Sequence, residues 1–183
     1  EVEKDACALG GYAIGTDVDV TDAAEVSSWF RLSESELGPV EAVVSCAGIT
    51  REQPLARLAE ADWRAVIDTS LDGVFHLCRT AVFAMMGRRS GRIVTVSSVA
   101  GTTPSGDGGY AHYGAAKAAI AHYTRYLAHD LGQYNITANC IAQATKWHGG
   151  KTGGSIHSRL LGNSGSRHIP DQRRGPRNSH RSH

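Results

Sequence analysis

Gly91-Arg92-Ile93-Val94-Thr95-Val96-Ser97-Ser98 and, fifteen residues beyond its end, Tyr113-Gly114-Ala115-Ala116-Lys117 decide how this chain is read. The first stretch is rich in β-branched residues and closes on two serines, the pattern of a buried strand that stops at a polar edge. The second opens a helical pattern over about 112–131, with Ile120, Tyr123, Leu127 and Leu131 on one face. A loop rich in Gly, Pro and Ser, Gly101 to Gly109, joins the two. Upstream, Tyr12-Ala13-Ile14-Gly15-Thr16 predicts a strand leading into Asp17-Val18-Asp19-Val20. Thr21-Asp22 signals a helix start, and Gly38-Pro39 its end near Leu37. Ala42–Ser45 predicts a short strand that breaks at Ala47-Gly48. From Ala61 to Met86 the apolar positions Val66, Ile67, Leu71, Val74, Phe75, Cys78, Val82 and Met85 keep helical spacing. Asn135 to Ala142 predicts a last strand.

Strands alternating with helices define an α/β domain with a parallel sheet. Near-continuous apolar strands predict a sheet covered on both faces. In such folds ligands bind beyond the carboxyl ends of the strands. Asp19, Cys46-Ala47-Gly48 and Ser97-Ser98 are therefore expected along one edge.

Composition narrows the class. The 183 residues carry a formal net charge of +1, with 41% hydrophobic side chains. No run reaches the roughly eighteen apolar residues of a membrane span, and the acidic start Glu1-Val2-Glu3-Lys4-Asp5 is unlike a signal peptide. Cys7, Cys46, Cys78 and Cys140 lack disulfide-framework or metal-ligand spacing, so no metal site is predicted. A cytoplasmic protein is expected. The average charge hides a division: residues 144–183 hold 8 basic side chains against 1 acidic, plus five of the nine histidines. With few large apolar residues, that segment is expected to be a disordered basic tail following a body of residues 1–143.

Tyr113 and Lys117, four apart, share one helix face. An ammonium close to a phenol favours the phenolate and suits the tyrosine to proton exchange with a carbonyl or alcohol oxygen. Ser98, ending the preceding strand, can hydrogen-bond that same oxygen. Tyr110 competes with Tyr113 on distance from Ser98, but position 114 is glycine where its lysine would stand.

The order Asp19-Val20, Cys46-Ala47-Gly48, Ser70-Leu71, Gly91 to Gly101, Tyr113-x-x-x-Lys117 and Ile136 to Ala142 resembles the short-chain dehydrogenase/reductase family over about residues 1–143. Around Cys46 to Arg51 it is most similar to bacterial 3-oxoacyl-[acyl-carrier-protein] reductases. The resemblance implies a Rossmann-like doubly wound parallel sheet, here without its first two strands and its C-terminal strand. It implies Tyr113 as acid/base, Lys117 as the residue that lowers its pKa and holds the nicotinamide ribose, and Ser98 as the group positioning the carbonyl. Ser70 stands where relatives carry an asparagine that supports a proton-relay water. Asp19, Val20, Cys46, Ala47 and Gly48 become cofactor contacts, alongside Tyr113 and Lys117. The cofactor implied is NADP or NAD, with NADP favoured. The substrate class is a small carbonyl or alcohol, extending to an acyl thioester, and intact relatives form homo-oligomers.

The chain departs from that pattern in four places. It contains no T-G-x-x-x-G-x-G turn, and Gly11 and Gly15 lead into Asp17 rather than a helix, so they are no phosphate loop. Ser45-Cys46 replaces an asparagine pair, Ser70 replaces the relay asparagine, and Gln143-Ala144 replaces Pro-Gly. The change of character after Gln143 fits a genuine basic extension or a coding frame shift. Two other functions stay open on the sequence: an inactive family remnant serving as an oligomerisation module, and nonspecific polyanion binding by the tail. No specific nucleic-acid readout and no membrane partner are expected.

Overall fold

Asp22 begins the first helix by accepting the backbone N–H groups of Ala24 and Glu25 on one carboxylate oxygen, at 2.7 and 3.2 Å. The helix ends at Gly38, whose φ of +83° a side chain would resist. The structure, a computed structural model, describes residues 6, 8–104, 108–145 and 156–161. In chain order the elements are α1 (Ala23–Leu37), β1 (Ala42–Ser45), α2 (Glu60–Ile67), α3 (Gly73–Arg88), β2 (Gly91–Ser98), α4 (Ala111–Leu131), β3 (Ile136–Thr145) and β4 (Ile156–Leu161).

The sheet runs β1-β2-β3-β4. The first three strands are parallel, in a register that aligns Val43, Ile93 and Ala138, while β4 is antiparallel to β3. This is the Rossmann-like α/β architecture expected. Val43, Ile93, Ala138 and Cys140 are buried in one core with Val26 and Phe30 of α1, Cys78 and Met85 of α3, and Ile120 and Ala128 of α4.

Within the described residues, helices pack on one face of that sheet. Along β1 burial alternates, with Val43 6% exposed and Val44 57%. β2 follows the same alternation more weakly. Two-sided coverage was the expectation from continuous apolar runs. Val44, Val94 and Val96 read as core in a sequence, yet no described helix reaches their side of the sheet.

Three further expectations change. Residues 12–16 form no strand. A strand requires a hydrogen-bonded neighbour, and β1, the edge strand, pairs with β2 alone among the described strands. The helical pattern from 61 to 86 is two helices joined by a wide π turn, Asp68–Asp72. Finally, β3 continues to Thr145, and β4 lies inside the segment read as a disordered tail. Pairing with β3 supplies β4 with backbone hydrogen bonds, which composition does not register. Residues 146–155 and 162–183, with the histidines at 148, 168, 180 and 183, lie outside the described residues.

Two glycines set how closely the layers approach. A Cβ at Gly101 would sit 2.6 Å from the backbone N of Ala118, and one at Gly114 would sit 2.8 Å from the carbonyl of Ala100. Gly87, on α3, has nothing within 4 Å of the same position. Gly101→Ala should therefore cost about 1–3 kcal/mol through overpacking. Gly87→Ala should gain up to about 1 kcal/mol through helix propensity. Urea denaturation of the two variants checks both signs.

Candidate active site

The carboxyl end of β2 and the start of α4 are brought together by those close approaches. Ser97 Oγ donates to the backbone carbonyl of Lys117 at 2.6 Å, fixing the strand end to the second turn of the helix. Lys117 Nζ donates to the carbonyl of Val96 at 2.8 Å. The ammonium also lies 5.6 Å from the centroid of the Tyr113 ring, within cation–π range. Lys117 is 4% exposed. Burial holds its pKa below the ordinary 10.5, with Cys140 and Cys46 acting in the opposite direction.

Ser70 is fully buried at the π turn. Its hydroxyl accepts from the backbone N–H of Ile49 at 3.3 Å and lies 3.5 Å from the Ile49 carbonyl. A Cβ on Gly48 would be 3.4 Å from both Lys117 Nζ and Ser70 Oγ. One corner thus collects Gly48, Ser70 and Lys117, reached from three separate elements. Ser98 Oγ accepts from the N–H of Ala100 at 3.2 Å and caps the short turn Val99–Gly101.

The residues expected to contact a cofactor divide. Val20, Cys46 and Ala47 line one cleft of about 320 Å³ with Ile14, Val18 and Leu77, between the segment before α1 and the end of β1. Asp19 does not line it. One Asp19 oxygen accepts from both the N–H and the hydroxyl of Thr21, at 2.8 Å each, which lowers its pKa, the backbone bond most. Cys46 is exposed, whereas Cys78 is buried and its thiol is pushed up to about 12.

Three features escaped the sequence reading. His76 Nδ1 is 3.0 Å from the Val20 carbonyl, tying the segment before α1 to α3. His112 is fully buried against Trp63, and neither ring nitrogen has a partner among the described residues. Tyr110 donates to Glu52 Oε2 at 2.7 Å and stands edge-on to Tyr113, ring centroids 6.5 Å apart. The pair Gly108-Gly109 was the visible signal for the last of these, because it marks a turn.

The fold is a parallel, Rossmann-like α/β sheet with helices packed on it, and likeness to known proteins specifies the family. The chain matches the family described as short chain dehydrogenase over residues 1–145, and it belongs to that family. It is 40% identical over 134 residues to the 3-oxoacyl-[acyl-carrier-protein] reductase FabG of Escherichia coli (strain K12), covering 73% of this chain and 54% of that protein. It is 41% identical over 138 residues to the cyclohexanol dehydrogenase of Rhodococcus sp. (strain TK6), covering 73% and 51%. The crystal structure of a gluconate 5-dehydrogenase from Burkholderia cenocepacia J2315, in complex with NADP and tartrate, superposes with a TM-score of 0.72. That match is at 29% identity and covers 77% of this chain and 55% of the other. The chain spans about half the length of the curated relatives it matches.

The buried ammonium gives a pH signature. Because its folded pKa lies below 10.5, the unfolded chain binds more protons between the two values, and this group makes stability rise with pH across that window. Lys117→Met should be more stable than the parent at pH 7, and the difference should shrink toward pH 10.5. Urea melts of both proteins between pH 7 and 10.5 measure it, and a constant difference would contradict the buried charge.

Proposed function

We propose that the site carries out oxidoreduction of a secondary alcohol or ketone with a nicotinamide dinucleotide. The observation that carries this reading is the buried Lys117 ammonium 5.6 Å from the centroid of the Tyr113 ring, where the start of α4 packs on the end of β2, the strand that closes on Ser98. Lys117 has three donors. One goes to Val96, and no acidic side chain among the described residues pairs with the ammonium. A ribose bearing hydroxyl acceptors satisfies a buried cation of this kind. Gly48 lies beside both Lys117 and Ser70, where a Cβ would be 3.4 Å from Lys117 Nζ and from Ser70 Oγ.

The residues present fit the ribose–nicotinamide end of the group: Lys117 and Tyr113 for the ribose, and Cys46-Ala47-Gly48 along its path. Val20 offers an apolar contact for the adenine, with Asp19 exposed beside it. A glycine-rich phosphate turn is not among the residues of this sequence. Hydride transfer is the chemistry that a bound nicotinamide dinucleotide supplies. NADP, present in the gluconate 5-dehydrogenase crystal structure, is favoured over NAD.

In the reductive direction, Tyr113 donates its phenolic proton to the carbonyl oxygen as that oxygen becomes an alkoxide. Lys117 stabilises the phenolate left behind, and Ser98 holds the same oxygen by a hydrogen bond. Ser70 is engaged with Ile49, so its hydroxyl serves first to hold that loop. The 3-oxoacyl thioester is the substrate class favoured by the FabG likeness. In a homo-oligomer the outward faces of α3 and α4, with Phe83 71% and Tyr126 60% exposed, are the surfaces on offer.

Tyr113→Phe should lower turnover of NADPH with a 3-oxoacyl thioester by about 10²–10⁴-fold while leaving the fold intact. Steady-state absorbance and circular dichroism check the two halves. Unchanged turnover in the variant would remove Tyr113 from the chemistry.

A further inference from the structure

Tyr113 occupies the first turn of α4, the most precarious place for a residue that must hold an oxygen in line. The first four N–H groups of a helix have no partner inside it, and a capping side chain normally takes one. At α4 the residue in that place is Tyr110, and its side chain makes no capping bond. The helix start is held by other means.

Two hydrogen bonds cross from the segment before α4 to the loop that follows β1. Gln53 N–H donates to the Gly109 carbonyl at 3.1 Å, and the adjacent Tyr110 hydroxyl donates to Glu52 Oε2 at 2.7 Å. Neighbouring residues on one loop thus grip neighbouring residues on the other. Gly108 and Gly109 have φ values of +70° and +80°, and a Cβ at Gly109 would meet Glu52 Cγ at 3.2 Å. The glycine pair therefore lets the loops approach in a backbone form few other residues adopt. On its helix side, the Tyr110 carbonyl accepts the N–H of Gly114 at 2.7 Å, closing the turn that contains Tyr113. The far end of the β1 loop is held at Ile49 by Ser70.

We propose that Glu52 and Tyr110 form a latch that positions Tyr113, taking over the work of a helix cap by clamping the first turn of α4 to the loop after β1. Tyr110 acts through its carbonyl and its edge-on ring, and Glu52 acts through Tyr110. Both are positioning residues. The proposal rests on the reading of Tyr113 as the proton donor, and it gives a use to the tyrosine that rivals Tyr113 in the sequence.

The test compares Tyr110→Phe, Glu52→Ala and Glu52→Gln in the full chain. Amide exchange by NMR should quicken about fivefold at Gln53 and Gly114 in the first two variants, the effect of losing one ordinary net hydrogen bond. Exchange at Ile93 in β2 should stay the same. The Tyr113 ring resonances, assigned with Tyr113→Phe, should shift or broaden in the same two variants. Turnover, where the parent shows it, should fall several-fold in kcat with little change in KM. Glu52→Gln retains an acceptor oxygen and should restore each readout. Unaltered exchange at Gln53 and Gly114 would overturn the latch. So would faster exchange with an unmoved Tyr113 ring and parental kcat, since the loops would then be joined without reaching Tyr113. A parent chain with no turnover counts against the proposed oxidoreduction, while exchange and ring signals still decide the latch.

Discussion

A single interaction, the buried ammonium of Lys117 against the Val96 carbonyl, constrains most of what surrounds it. Removing a charge from water is expensive unless polar partners replace the lost hydration. Here a strand carbonyl does part of that, at 2.8 Å. For the carbonyl to be reachable, α4 must lie almost on the end of β2. That explains the bare Cα positions at Gly101 and Gly114 and the Ser97 bond to the backbone of Lys117 itself. Larger residues at either glycine would lift the helix and strand the cation. The packing of the core and the placement of the charge are one constraint.

The same corner shows how a shorter side chain redistributes a task. Ser70 sits at the π turn with its hydroxyl spent on the backbone of Ile49. This pins the loop that carries Cys46, Ala47 and Gly48, and Gly48 in turn abuts Lys117. A hydroxyl so engaged has little left for a bridging water, whereas an asparagine amide offers two further donors and an acceptor. Serine at this position keeps the loop in place.

The parts of this fold that were legible are those governed by local chemistry. Asp22 and Gly38 bound α1 because capping and positive φ are properties of a few residue types. Strands β1, β2 and β3 were visible as apolar runs, and Tyr113 with Lys117 as a helical spacing. What failed depended on partners. Residues 12–16 have strand-forming side chains, yet a strand exists only beside another strand. The continuous apolar runs of β1 and β2 could not say which face the helices choose, because Val43 and Val44 are the same residue type in opposite surroundings. Ser70 and Ile49, or Glu52 and Tyr110, are bonds across 21 and 58 residues. No local pattern announces them.

Those long-range bonds gather within one part of the chain. The groups assigned to proton transfer come from β2 and α4, neighbours in sequence joined by one loop, and their placement draws on contacts among residues 49–118. Dinucleotide affinity is distributed differently, since much of it comes from backbone N–H groups facing the phosphates at a glycine-rich turn, which these 183 residues do not contain. In the proposed reading, Lys117, Tyr113 and the β1 loop serve the ribose and the reacting carbonyl rather than the phosphates. Proton chemistry and phosphate binding are thus separable in this architecture. The geometry around Lys117 is set by its buried charge, whatever holds the phosphates.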